Sequence, residues 1–220
     1  MLRRILFLLA LVALSGCQLL PEGRDTPSAR PAERPPVAPN TASRVCLSGL
    51  GATGARFTAL PGRYYGAGCS TLGTVQLTGL QGDATGFELA NIGPITCPLA
   101  EAMAGWARYG VDRAARQILG SGLARIETMG SYSCRNVAGS GRRSAHASAE
   151  AVDVGGFVLE NGRRVTVLGG WQDPDPKVRE FLRVIHRSAC KRLGTVLGPD
   201  YNAAHANHFH LERTGDDFCR

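Results

Sequence analysis

The feature that most narrows what this chain can become is its set of cysteines. Seven occur in 220 residues, and one of them, Cys17, sits directly behind an apolar leader. The other six are Cys46, Cys69, Cys97, Cys134, Cys190 and Cys219, widely spaced and with no CxxC pair among them. An even set in an oxidising compartment reads as three disulfides, whereas zinc-thiolate sites favour the close cysteine pairs that are missing here. Many pairings are possible, and spacing alone selects none of them.

The leader sets the compartment. Met1, Leu2, Arg3 and Arg4 make a basic start, residues 5–14 are apolar but too short to span a bilayer comfortably, and Ser15 and Gly16 precede Cys17. Residues 1–16 therefore read as an export signal. The run Leu14-Ser15-Gly16-Cys17 resembles the bacterial lipobox, which implies lipidation at Cys17; an ordinary signal peptide with an incidental cysteine is the plainer alternative. Gln18, not an acid, follows, and the same resemblance then implies a lipoprotein on the periplasmic face of the outer membrane. Residues 17–44 contain six of the twelve prolines among polar residues with little to bury, so they read as a tether from a lipid anchor in the membrane. The formal charge of +7 drops to +5 when Arg3 and Arg4 leave with the signal, and the remaining basic residues are scattered. With 6% aromatic residues the chain has no interleaved stacking surface, so nucleic acid is not an expected partner.

Beyond the tether, short apolar runs at 55–60, 71–80 and 86–90 are separated by Gly, Pro and Asp, which predicts a small β-rich region over 45–96. Cys97-Pro98 opens a helix through Leu99, Met103 and Trp106, a second helical piece covers 114–119, and Gly120 ends it. A strand follows at 123–129. Residues 151–159 and 164–168 form a hairpin around Glu160-Asn161-Gly162. The best amphipathic helix runs from 176 to 193, and short strands close the chain at 195–197 and 208–212. The fold class is α+β, an antiparallel sheet flanked by helices, with a second region at 97–220.

Two stretches carry candidate chemistry. Three of the five histidines, His205, His208 and His210, fall within six residues. On a strand, period-2 alternation puts His208 and His210 on one face while Phe209 and Leu211 enter the core. Upstream, Asp153 lies inside AVDV, and a carboxylate in that apolar setting needs a cation, a metal or several donors. His146 is on the loop leading into the same strand. One carboxylate and two imidazoles brought together by neighbouring strands make three N/O ligands suited to Zn²⁺. Pairing of Asp153 with an arginine such as Arg135 is the structural alternative.

The spacing Ser144-x-His146-x-x-Ala149-x-Ala151-x-Asp153 resembles the SxHxxGxAxD signature of zinc D-Ala-D-Ala peptidases and the related Hedgehog signalling domain. The segment His205-x-x-His208-x-His210 is similar to the HxxHxH end of the murein endopeptidase branch. Residues 130–135 loosely match that superfamily's strand ending in an arginine. The stretch from Cys97, with YSCR, SAHASAEAVD, VLGPDYN and HFHLE, most resembles the bacterial extensin-like C-terminal family. The resemblance implies a peptidase-like zinc domain at 97–220 acting on peptidoglycan stem peptides, with His146, Asp153 and His210 as zinc ligands. It places His208 beside the metal as an acid-base or oxyanion group, Arg135 as a clamp for a substrate carboxylate or carbonyl, and Ser144 as a supporting hydrogen-bonder on the substrate side. Two departures stand out. Ala149 replaces the glycine of the signature, and Asn207 occupies the position where those peptidases carry an acid that deprotonates water. His205, or Glu212 if turned inward, is then the stand-in base, and a non-catalytic zinc-containing module that binds cell wall or protein is the alternative function.

Overall fold

Strand 151–159 sets the frame, because its side chains must satisfy two different faces. The structure is a computed structural model that describes residues 36–213 and 217–220; the expected export signal, Cys17 and the expected tether up to residue 35 lie outside the described residues. In chain order the elements are α1 (Thr41–Ala52), β1 (Arg56–Ala59), β2 (Tyr64–Gly66), β3 (Cys69–Ser70), β4 (Thr74–Gln81), β5 (Gly86–Ala90), β6 (Ile95–Thr96) and α2 (Cys97–Trp106). Then come β7 (Leu123–Gly130), β8 (Ala151–Leu159), β9 (Arg164–Thr166), α3 (Val167–Gly170), α4 (Pro176–Cys190), β10 (Thr195–Leu197), β11 (Phe209–Glu212) and β12 (Phe218–Cys219). The main sheet runs β1-β4-β5-β7-β8-β11-β10-β12, with β6 on β4 and β9 on β8, and β2 and β3 pair separately.

This is the expected α+β arrangement, mostly antiparallel, with parallel contacts only at β5–β7 and β10–β12 among the described strands. A parallel neighbour needs a crossover, and residues 97–119 supply it. Pro98 occupies the first turn of α2, and Leu99, Met103 and Trp106 are buried. The helix does not stop there: π-helical turns at Ala107–Asp112 and Ala115–Leu119 continue it to Gly120, whose φ of 72° ends it. Only the later of these turns is legible in the sequence. Other boundaries shift as well. Residues 41–52, expected to straddle the tether and the start of the β-rich region, form α1, capped by the Asn40 side chain on the Ser43 amide. The chain after β9 turns into α3 at Val167 instead of staying extended to 168. Strands before and after residue 97 share one sheet, so the sheet itself runs through the boundary expected there.

Along β8, Val152, Val154, Phe157 and Leu159 are buried, and Asp153 and Gly155 take the other face. The change of parity between Val154 and Phe157 comes from a bulge: Val154 pairs with Thr128 and Gly156 with Glu127, leaving Gly155 as the extra residue. Phe157 then meets Trp106 and Phe181 edge-on, while the Trp106 indole N–H donates to the Ile185 carbonyl of α4 at 2.9 Å. Helices α2 and α4 are thereby fixed to one side of the sheet, and the face carrying Asp153 is left open. Asp112 shows how the core handles a carboxylate that has no ligand to hold. It is fully buried and accepts hydrogen bonds from the Leu123 and Asp83 amides and from Arg116.

Three disulfides close the structure: Cys46–Cys97, Cys69–Cys134 and Cys190–Cys219. The first joins α1 to the start of α2, the second joins β3 to the loop after β7, and the third joins the end of α4 to β12.

His186 sits near that last bridge, packed against Trp171 and Phe209, with Nε2–H directed at the Arg220 carbonyl at 3.2 Å. Burial is the main reason its pKa falls below the usual 6.5, against the opposing effect of the Arg220 carbonyl. The unfolded chain therefore binds this proton more tightly than the folded one, so stability is full above about pH 6.5 and declines as pH falls through and below that value. We expect His186→Gln to flatten the pH dependence of the urea unfolding midpoint between about pH 5 and 6.5; an unchanged slope would show that other groups govern acid sensitivity.

Candidate metal centre

Strands β8 and β11 pair antiparallel with His210 directly opposite Asp153. Their neighbours Val152, Val154, Phe209 and Leu211 are all fully buried, so alternation sends Asp153 and His210 to the open face. His146 arrives from a different direction, on a single 3₁₀ turn at Ala145–Ser148. Ser144 caps that turn, its Oγ accepting from the His146 amide at 3.4 Å. Ala149 ends it at φ 59°, a left-handed conformation that is easy for glycine and strained for alanine. The strain is held by partners on both sides: Ala149 donates to the His146 carbonyl and accepts from the Thr96 amide. Alanine at this position thus keeps the turn intact and aims His146 at Asp153.

The resulting cluster is tight. His210 Nδ1 is 3.0 Å from Asp153 Oδ1, His146 Nε2 is 3.3 Å from Asp153 Oδ2, and the two ring nitrogens are 3.2 Å apart. Each ring faces a different oxygen of the Asp153 carboxylate, and one ligand atom from each of the three residues lies within 4.8 Å of the others, close to the spacing of about 3.3–3.6 Å that a tetrahedral ion with ligands at about 2.0–2.2 Å requires. The outer nitrogens are fixed as a metal site requires. His146 Nδ1–H donates to the Ser131 carbonyl, and His210 Nε2–H donates to Glu212 Oε2 at 3.3 Å. With the outer nitrogen carrying N–H, the inner nitrogen of each ring is a lone pair for an ion when the ring is neutral and a second N–H donor to Asp153 when the ring is protonated. Sequence reading considers Glu212 only as a substitute base; its position two residues from His210 on the same strand face makes it the partner that orients this ring.

Electrostatics bear on the same point. Burial opposes ionisation of Asp153, yet hydrogen bonds from His146 and His210 hold its carboxyl well below the usual carboxylate range. Burial likewise disfavours the His210 imidazolium, but Asp153 and Glu212 outweigh it and push the pKa up to about 9. A proton and a divalent cation thus compete for one place between His210 and Asp153.

The other expected residues gather around this triad. His208 Nε2 is 3.5 Å from Asp153 Oδ1, and its Nδ1–H donates to the Asn207 side-chain oxygen at 2.8 Å. His205 stacks between Tyr201 and His208, its Nδ1–H held by Asn202 at 2.8 Å. Burial, then neighbouring positive charge, lowers both pKa values, that of His205 to about 4, so both rings are neutral near pH 7. Arg135 is exposed and makes no ion pair among the described residues, and its charge is felt at both His205 and His208. The structural alternative of an Asp153–Arg135 pair does not form. Ser144, only 8% exposed, supports His146 and is poorly placed to touch a substrate. On the open face beside Asp153, Gly155 lies under Met129, whose Sδ would be 3.2 Å from an added Cβ. A second group, His186 with Cys190 and Cys219, has suitable atoms close together, but both sulfurs are used in a disulfide.

A family model described as the extensin-like protein C-terminus matches residues 44–220. The chain belongs to this extensin-like family. No curated protein and no solved structure matches it. The match runs from within α1 through β12, so the extensin-like region covers the strands before residue 97 as well as the histidine cluster.

Removing the outer partner of His210 should loosen metal binding without unfolding the sheet. We expect Glu212→Ala to weaken Co²⁺ affinity about 10- to 100-fold by spectroscopic titration, and Glu212→Gln to weaken it less. Equal affinities in all three proteins would remove Glu212 from the metal's support.

Proposed function

We propose that this chain is a lipid-anchored protein of the bacterial cell envelope whose extensin-like domain holds zinc and acts as a D,D-peptidase on peptidoglycan stem peptides. The observation that carries the reading is the convergence of His146, Asp153 and His210, with both imidazoles already oriented by outer partners. Two nitrogens and one carboxylate suit zinc better than hard cations, which prefer all-oxygen shells. The SxHxxxxAxD spacing and the HxH pair are in keeping with the zinc D-Ala-D-Ala peptidases. No helix among the described residues is long and apolar enough to cross a membrane, and the anchor in this reading is a lipid on Cys17.

Zinc supplies Lewis acidity, polarising a substrate carbonyl and making water easier to deprotonate. The remaining work falls to side chains. His208 is neutral, its Nδ1–H is fixed by Asn207, and its Nε2 faces the cluster, so it is placed to take a proton from water and return it to the departing amine. Asn207 thus serves the base and does not replace it. The exposed Arg135 guanidinium is suited to a substrate carboxylate. The second reading, a zinc-containing module that binds wall polymer or a protein without cleaving it, draws on Asn207 standing where an acid is expected.

Purified sacculi separate the two. We expect muropeptide release by the wild type, a drop on the order of 10² to 10⁴ in His208→Ala with zinc retained, and loss of both zinc and release in His146→Ala. Sedimentation with sacculi and no release by the wild type would favour the binding module, and a folded chain that takes up no zinc would end both readings. Separately, Cys17→Ser should move the protein from the membrane fraction to the soluble fraction; unchanged partitioning would remove the lipid anchor.

A further inference from the structure

The loop that orients His146 also carries an aromatic surface that the metal centre does not use. Ser131 and Ser133 both hydrogen-bond His146, the first through its carbonyl to the ring and the second through its amide to the His146 carbonyl. Tyr132 lies between them, one residue step, roughly 4 Å of backbone, from each. Its ring meets that of Tyr65 with centroids 5.5 Å apart and planes tilted by 35°. Tyr65 is 54% exposed although it belongs to a strand, and its hydroxyl is within 3.4 Å of Thr71 Oγ1. The adjacent Tyr64 points the other way, toward a cleft beside Leu72 and Thr96, as strand alternation requires.

Tyr65 is exposed and Tyr132 half-buried, and the pair is held firmly. Cys69–Cys134 bolts the β2–β3 hairpin to the loop that follows Tyr132. Arg143 reinforces the joint, donating from Nε to the Ala67 carbonyl at 2.5 Å and from Nη1 to Asn136 at 2.8 Å. The pair is therefore preorganised, and little ordering cost remains for a ligand that lies on it. Tyrosine suits a ligand with one apolar face and a wet rim. Along the loop after Tyr132, Ser133, Arg135 and Asn136 are exposed and polar, and no acidic side chain lies in residues 128–149.

We propose that Tyr65 and Tyr132 form a stacking platform for a pyranose ring of an amino-sugar glycan. A sugar ring matches the surface in both respects, offering a C–H face to the aromatic rings and hydroxyl and amide groups to the polar rim. This assignment rests on the reading of the centre as one that acts on wall peptides, and it names the glycan to which such a peptide is attached as the second part of the ligand. The sugar end of the substrate lies on the Cys69–Cys134 side of the centre, and the peptide crosses from there past Arg135 to the triad.

The test uses the purified, chelator-treated chain, so that saccharide binding is measured apart from zinc. A tetrasaccharide of N-acetylglucosamine is titrated by calorimetry or NMR into wild type, Tyr65→Ala, Tyr132→Ala and Tyr65→Phe, with a sugar-free stem peptide as comparison. We expect binding that weakens roughly tenfold in each alanine variant and is kept by Tyr65→Phe, because the ring and not the hydroxyl is used. Zinc affinity, measured afterwards, should be unchanged in Tyr65→Ala. No saccharide binding, equal binding by Tyr65→Ala, or an effect of the tyrosines on the sugar-free peptide alone would each overturn the proposal. So would loss of zinc affinity in Tyr65→Ala, which would make Tyr65 a prop for the His146 loop. A chain that binds saccharide but no zinc would leave the platform standing and refute only the peptidase reading.

Discussion

Everything at the open face depends on where one negative charge is allowed to sit. The Asp153 side chain is 16% exposed and flanked on its strand by two fully buried valines, an environment that penalises an isolated carboxylate by several kcal/mol. Compensation comes from the imidazoles of His146 and His210, supplied by two distant segments. The register of β8 against β11 provides His210, and His208 just before it, while a strained turn provides His146. A one-residue slip between the two strands would send His210 into the core and expose Leu211, so the hydrophobic pattern that fixes the sheet also fixes the cluster.

Asp153 reads as a functional site and the fully buried Asp112 does not, for a reason that lies in their partners. Asp112 is satisfied by two backbone amides and an arginine, all of which are permanent donors. Asp153 is surrounded by imidazoles whose protons are exchangeable, whose outer nitrogens are tied to Ser131 and Glu212, and whose inner nitrogens meet at a single point. The first arrangement stabilises a fold; the second leaves room for a cation to replace a proton.

Much of this was legible in the sequence where the governing interaction is local. Alternation in AVDV and HFHLE placed Asp153 and His210 on one face, the Asn-Gly turn marked the hairpin after β8, and the amphipathic pattern over 176–193 marked α4. What stayed hidden depends on partners far along the chain. The π-helical turns lie against α4, a neighbour that local propensity does not reveal. The left-handed Ala149 depends on the Thr96 amide, and the orienting roles of Ser131 and Glu212 exist only once the sheet has closed. Helix α1 falls across the expected end of the tether and start of the β-rich region, because its run of small and polar residues buries little apart from Leu50 and is joined to α2 by Cys46.

The cysteine pairing has a consequence for how such a chain must mature. Cys46–Cys97 and Cys69–Cys134 interleave along the sequence, so a thiol that reacts with the next one to emerge would give 46–69 and then 97–134, both wrong. The correct bridges are reached only if the sheet assembles before oxidation is complete or if an isomerase reshuffles early pairs. A host that oxidises thiols quickly but lacks isomerase activity would accumulate scrambled protein, with the loop bearing Tyr132 fastened to the wrong partner.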